Sequence, residues 1–160
     1  MQLRHLIKLN SVHIDSVSQS KTAVLLKISQ LLSQQHCELD YQKLFDAYWT
    51  REALGSTAIG QGITIPHIRH ANIAKPLACV IKLLNPVDFG AKDKQPIDLV
   101  IGLIAPLTQV DQHLQILATI IKQFSNPSVR EACRSVIDRE VLYKILIAEE
   151  IHKEEMVLTL

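Results

Sequence analysis

Arg51, Ser56, Thr57 and His67 fall within one short segment that also holds Gly55, Gly60 and Gly62. The glycines let the backbone bend tightly and come close to a ligand. Ser56 and Thr57 add hydroxyls, and Pro66 fixes the chain direction immediately before His67. A neutral imidazole has a pKa near ~6.5 and keeps one unprotonated nitrogen at neutral pH. That nitrogen is a nucleophile. Phosphoryl transfer suits it, because the protein need supply little beyond aim and donors around the equatorial oxygens. Arg51, Ser56 and Thr57 are donors of the right kind, provided the fold gathers them at His67. Spacing alone leaves open a glycine-rich surface turn with an incidental histidine. It also leaves open an Arg51 that merely complements the dipole at a helix end.

His113 is the second histidine of interest. It lies in the first turn of a helix that Asp111 can cap, and it shares a face with Leu117, Ile120 and Phe124. It reads either as a hydrogen-bonded core histidine or as a partner that holds His67 or contacts phosphoryl oxygens. His67, His70 and His113 could together offer three nitrogens to zinc, which makes a zinc-dependent hydrolase the remote alternative. No carboxylate or thiolate stands at a supporting spacing, so no metal and no cofactor are expected. No serine sits in a nucleophile elbow, and no Lys-Ser/Thr follows the glycines as a P-loop requires. Cys37, Cys79 and Cys133 read as small packing residues. His5, His13, His36 and His152 fall on polar faces or tails.

The elements that must position these residues can be read from period and punctuation. Val12 to Asp15 alternates as a short strand. Ser18 or Ser20 can cap a helix to about Gln35, with Val24, Leu25, Ile28, Leu31 and Leu32 recurring at helical spacing. Asp40 caps a second helix that puts Tyr41, Leu44, Phe45, Tyr48 and Trp49 on one face and stops at Gly55. Ile63-Thr64-Ile65 is a short strand ending at Pro66, which delivers His67 to the end of the sheet. Leu77 to Leu84 and Ile97 to Ala105 are nearly continuous apolar runs, as strands covered on both faces should be. Asn85-Pro86 and the stretch from Phe89 to Lys94 read as turns. Asp111 opens a helix to about Phe124 with Leu114, Leu117, Ile120, Ile121 and Phe124 inward. Pro127 to Ser135 forms a short helix, and Asp138 caps a last one to about Glu149. Strands and helices mixed in this order predict a single α/β domain, a central mixed sheet flanked by helices. Residues 151–160 carry no strong pattern and are expected to be loose.

Composition narrows the function classes. The chain has 160 residues, 48% of them hydrophobic and 21% charged, with a net charge of +1. Nucleic-acid binding needs clustered positive charge, which is absent. Three widely spaced cysteines are no disulfide framework and fit a reducing cytoplasm. The first residues lack the apolar core of a signal peptide. The run from Leu99 to Leu107 is about half of the roughly 18 residues a membrane span needs.

Arg51-Glu, Gly-Ser-Thr, Gly-x-Gly-Ile and Ile-Pro-His67 together resemble the phosphorylation-site signature of the fructose/mannitol-type enzyme IIA domains of the bacterial phosphotransferase system. Within them the chain looks most like the stand-alone nitrogen-regulatory member. The likeness runs from about Leu6 to Ile147 and includes Gln95-Pro-Ile-Asp-Leu, the apolar run after it, and His113-Leu. It implies one type-2 IIA domain over 1–160 that accepts a phosphoryl group on His67 Nε2 from a small histidine-phosphorylated (HPr-like) carrier. It also implies that His113 is the second site histidine and that Arg51, Ser56 and Thr57 line the site. Its downstream partners would be regulatory targets, or alternatively the cysteine of a IIB domain in sugar transport. One departure stands out: the family usually has Gly after the active histidine and often Lys next, where this chain has Ile68 and Arg69. Ile resists the positive φ that Gly permits, so the backbone after His67 is expected to differ.

Overall fold

Strands that are apolar on both faces must bury both, and here each face receives its own layer of helices. A computed structural model describes residues 1–148. In chain order its elements are β1 (Val12–Asp15), α1 (Lys21–Ser33), α2 (Tyr41–Ala53), β2 (Ala58–Gly60), β3 (Ile63–Thr64) and β4 (His67–His70). They continue with β5 (Leu77–Val87), β6 (Ile97–Pro106), α3 (Val110–Ser125), α4 (Pro127–Ser135) and α5 (Arg139–Ile147). Two short 3₁₀ turns, Leu3–His5 and Leu9–Ser11, precede β1. The expected continuation of the last helix to Glu149 and the expected loose tail lie outside the described residues.

The sheet has six strands in the order β1-β5-β6-β3-β2, with β4 also paired to β6. It is mixed: β1 runs parallel to β5, β5 antiparallel to β6, and β3 and β4 both parallel to β6. β5 occupies one side of β6, so β3 and β4 must share the other, as two halves of one strand broken at Ile65-Pro66. Along β5, Cys79, Ile81 and Leu83 join a cluster with α1 and α2, while Ala78 and Val80 join one with α3 and α5. Val100 and Ile104 of β6 point to the first cluster, Leu99, Ile101 and Leu103 to the second.

Several local expectations are corrected. On α2, Leu44 and Tyr48 are buried, but Tyr41 and Trp49 are largely exposed, because the helix lays a narrower stripe on the sheet than its sequence offers. On α3, His113, Ile116, Ile120 and Phe124 face inward, whereas Leu114 and Ile121 face solvent. Asp111 is not the cap of α3: Gln109 occupies that position with no side-chain bond, and Asp111 lies in the first turn. Asn85 and Pro86 are no turn; β5 continues through them to Val87, across a register shift between Lys82 and Val87. A proline is tolerated there because the ladder is already irregular. The short strand β2 and the strand character of His67–His70 were not anticipated. Ser20, Asp40 and Asp138 do cap α1, α2 and α5, each accepting from backbone amides of the first turn.

Candidate functional site

Among the described residues, β4 has β6 on one side and no strand on the other. Along this free edge a cleft opens between α2 and α3, lined by Arg51, Thr50 and Asp46 of α2, His67, Ile68 and Arg69 of β4, and His113 of α3. Leu54, Leu107, Val110, Leu114 and Leu117 form its apolar border. Three of the anticipated site residues, Arg51, His67 and His113, are thus gathered at one place from separate parts of the chain.

His67 is set by the break between β3 and β4. Pro66 has no N–H to give the ladder, yet its carbonyl accepts the Leu103 amide at 2.9 Å, which pins the start of β4 to β6. His67 Nδ1 lies 2.6 Å from the Ile65 carbonyl oxygen. An oxygen of this kind can only accept, so Nδ1 carries the proton and the lone pair resides on Nε2. Burial is the main cause holding the His67 pKa below its ordinary value; Arg51 lowers it further, while the Ile65 bond and Glu52 raise it. The ring is therefore neutral and nucleophilic at pH 7.

His113 stands across from it, with ring centroids 5.5 Å apart and planes tilted by 45°. It is 7% exposed, and its Nδ1 is buried with no hydrogen-bond partner among the described residues. Burial, then the neighbouring His67 and Arg69, push its pKa down to about 4. A buried polar atom without a partner is uncommon in a core and acceptable beside a cleft that admits a ligand.

α2 is held against this strand by Tyr48, whose buried hydroxyl donates to the Leu103 carbonyl at 2.6 Å. Leu103 is the register partner of His67. Arg51, one turn beyond Tyr48, donates from Nη1 to Gly55 O at 2.9 Å, closing the helix end while its charge remains at the cleft. Dipole complement and site donor are thus compatible roles for one side chain.

Ser56 and Thr57 are not brought into the cleft. Ser56 Oγ donates to Phe89 O at 3.0 Å and accepts the Ala58 amide. Thr57 Oγ1 donates to the Glu52 carboxylate at 2.7 Å and lies 2.8 Å from Thr64 Oγ1. Both hydroxyls are spent on the turn that leads to β3. The glycines also serve the scaffold: Gly62 has φ +78°, and a Cβ there would come within 2.7 Å of Arg134 Nη2 and 2.9 Å of Asp98 Oδ1. His70 does not join a three-histidine set; its Nδ1 accepts the Asn72 amide, and among the described residues no group of three metal-ligating side chains converges. Ile68 lies in β4, paired with Ile104 and buried toward α1 and α2. The backbone after His67 is consequently extended strand, with no left-handed residue.

Sequence reasoning missed Glu52 and Tyr48 as parts of the site's support. A signal for Glu52 existed: a carboxylate in the last turn of a helix opposes the dipole, which invites a reason for its being there.

A model of the family described as "Phosphoenolpyruvate-dependent sugar phosphotransferase system, EIIA 2" matches residues 5–149. A nitrogen regulatory protein of Pseudomonas aeruginosa is 38% identical over 128 residues, covering 80% of this chain and 83% of that one. The crystal structure of nitrogen regulatory protein IIA-Ntr from Neisseria meningitidis superposes with a TM-score of 0.83 at 31% identity, covering 89% of this chain and 97% of the other. IIA mannitol from Escherichia coli shares the fold, with a TM-score of 0.72 at 18% identity over 88% and 98% of the two chains.

Proposed function

Because the chain belongs to the phosphotransferase-system EIIA 2 family, we propose that it is a phosphocarrier whose His67 Nε2 accepts a phosphoryl group from a histidine-phosphorylated carrier protein. The observation that carries this reading is the Nδ1 contact to Ile65 O, which leaves the lone pair on Nε2. In the transfer, Nε2 forms a bond to phosphorus as the donor's P–N bond breaks and its electron pair returns to the donor ring. Arg51 offers charge to the phosphoryl oxygens, and His113 offers a donor once its low pKa rises beside the new negative charge. Ser56 and Thr57 serve this scheme by shaping the turn before β3.

The relatives' names favour a regulatory role over sugar transport, since the first several similar proteins are nitrogen regulatory proteins. The partner would then distinguish the two forms of the protein at the apolar border of the cleft, where Leu54 is 81% and Leu114 58% exposed. No helix among the described residues is long and apolar enough to cross a membrane. The experiment is incubation with phosphoenolpyruvate and the phosphorylated carrier, for the parent and for His67→Ala. The expected product is an acid-labile, base-stable adduct that the variant lacks. Labelling that persists in His67→Ala would reject the assignment. A second incubation with IIB domains asks whether the group moves to a cysteine, as the sugar-transport alternative requires.

A further inference from the structure

One charged group beside His67 has no task in this scheme. The Glu52 side chain is 2% exposed, and a Lys21 amine that is itself 31% exposed pairs with it at 3.1 Å. It lies in the last turn of α2, where the helix dipole disfavours a negative charge and burial disfavours any charge. Two unfavourable placements at one residue need a local reason.

The hydrogen bonds supply one. Thr57 gives Glu52 both its amide, at 3.2 Å, and its hydroxyl, at 2.7 Å. With the Thr57 proton spent on the carboxylate, the 2.8 Å contact to Thr64 makes Thr64 the donor and Thr57 Oγ1 the acceptor. Thr57 O then accepts the Ile65 amide at 3.1 Å, and Ile65 O accepts from His67 Nδ1 at 2.6 Å. Glu52 therefore orients Thr57, Thr57 sets Ile65, and Ile65 selects which ring nitrogen of His67 keeps its proton.

We propose that Glu52 is a positioning residue that holds the His67 imidazole in its Nδ1–H tautomer through Thr57 and Ile65. This rests on His67 being the phosphoryl acceptor. No proton travels along the chain of bonds. When Nε2 bonds to phosphorus, Nδ1 keeps its proton and the ring becomes cationic, which leaves it a ready leaving group for onward transfer. The other charges facing His67 are Arg51 and Asp46 on α2 and Arg69 on its own strand, with the imidazole of His113 on α3. Arg51 opposes a cationic ring, whereas Glu52 favours it.

The test is Glu52→Gln in the full chain, an isosteric change that removes the charge and can keep one acceptor for Thr57. The ¹⁵N resonances of the His67 ring report its tautomer without any phosphoryl donor, so they decide on Glu52 even if His67→Ala remains labelled. The parent should show Nδ1–H alone and the variant a mixture. Phosphoryl acceptance should slow in proportion to the Nδ1–H fraction lost, about twofold for an even mixture, with the carrier concentration at half-maximal rate unchanged. An unchanged tautomer or an unchanged rate overturns the proposal. If Glu52→Gln does not fold, Thr57→Val, which cuts the hydroxyl link and leaves the amide in place, is judged by the same two readings.

Discussion

Tyr48→Phe isolates the bond that clamps α2 to the strand beside His67. The hydroxyl donates at 2.6 Å to the Leu103 carbonyl, across 55 residues of sequence, and Tyr48 is 1% exposed. Phe keeps the ring, so the loss is the hydrogen bond and little packing. A net intramolecular bond contributes about 0.5–1.5 kcal/mol, rising to about 1–3 kcal/mol where the partner is left unsatisfied. A value of about 1.5 kcal/mol is reasonable here, and a domain of this size shifts its midpoint by about 2–4 °C per kcal/mol. The expected fall in Tm is therefore about 3–6 °C. Tyr48 and Arg51 are one turn apart and Leu103 is in register with His67, so loosening this clamp also displaces Arg51 from the ring. Phosphoryl acceptance should fall by a small factor, about two to five. Thermal denaturation followed by circular dichroism and single-turnover labelling measure the two effects on one sample. A Tm within about 1 °C of the parent would show that the hydroxyl contributes nothing net, and the clamp would then be discarded.

Two further outcomes follow from the geometry. Gly62→Ala should destabilise by about 2–4 kcal/mol, because φ is +78° and the new Cβ meets Arg134 and Asp98 well inside contact distance. Gly90→Ala, with φ +68° and open space around it, should cost about 1 kcal/mol; equal denaturant midpoints for the two variants would contradict this account. His113 has a folded pKa of about 4, below the ordinary histidine value near ~6.5, so between these pH values the unfolded chain binds the extra proton. Its contribution is fully present above about pH 6.5 and is lost as pH falls toward 4, by on the order of 2–3 kcal/mol. His113→Leu should flatten that part of the stability profile, and parallel profiles for parent and variant would refute the burial argument.

Much of the fold was legible because the sequence repeats its message. Ser20, Asp40 and Asp138 are caps by residue type and caps in the structure. β5 and β6 announced themselves as continuous apolar runs, and their alternate residues serve two cores. The failures occur where more apolar residues are offered than one face can take. Leu114 and Ile121 on α3, and Tyr41 and Trp49 on α2, satisfy a helical period yet face solvent, since only tertiary contact decides which edge of the stripe is buried. β4 was missed because its four residues, His-Ile-Arg-His, have one apolar member, and a parallel partner 36 residues away in β6 makes them a strand. At the site, residue type singled out His67, Arg51 and His113, and the fold lines one cleft with all three. It could not say that the Ser56 and Thr57 hydroxyls would be consumed by Phe89 and Glu52, because that depends on where their neighbours fold.

The placement of His67 bears on how a phosphoryl group there could act on a partner. The histidine begins a strand whose four residues pair in register with Leu103 to Pro106, and Ile68 beside it is buried among α1 and α2. Strand pairing and core packing of this kind are bistable or fixed, not gradually deformable, and nothing in β4 offers a second register. The β3–β4 break is also secured, by Pro66 O on Leu103 N and Ile65 N on Thr57 O. Refolding would have to undo these bonds together. Charge needs no such movement: a phosphoryl group brings about −1.5 to −2 at pH 7, offset in part by the cationic ring that carries it, to a cleft bordered by Leu54, Leu107, Val110 and Leu114. An apolar border recognises by contact, and a phosphoryl charge at its centre must be either paired or left in water. A partner that brings a cation would thus prefer the phosphorylated protein, while one that brings a carboxylate or an apolar plug would prefer the free histidine. The same rigid cleft can serve both choices.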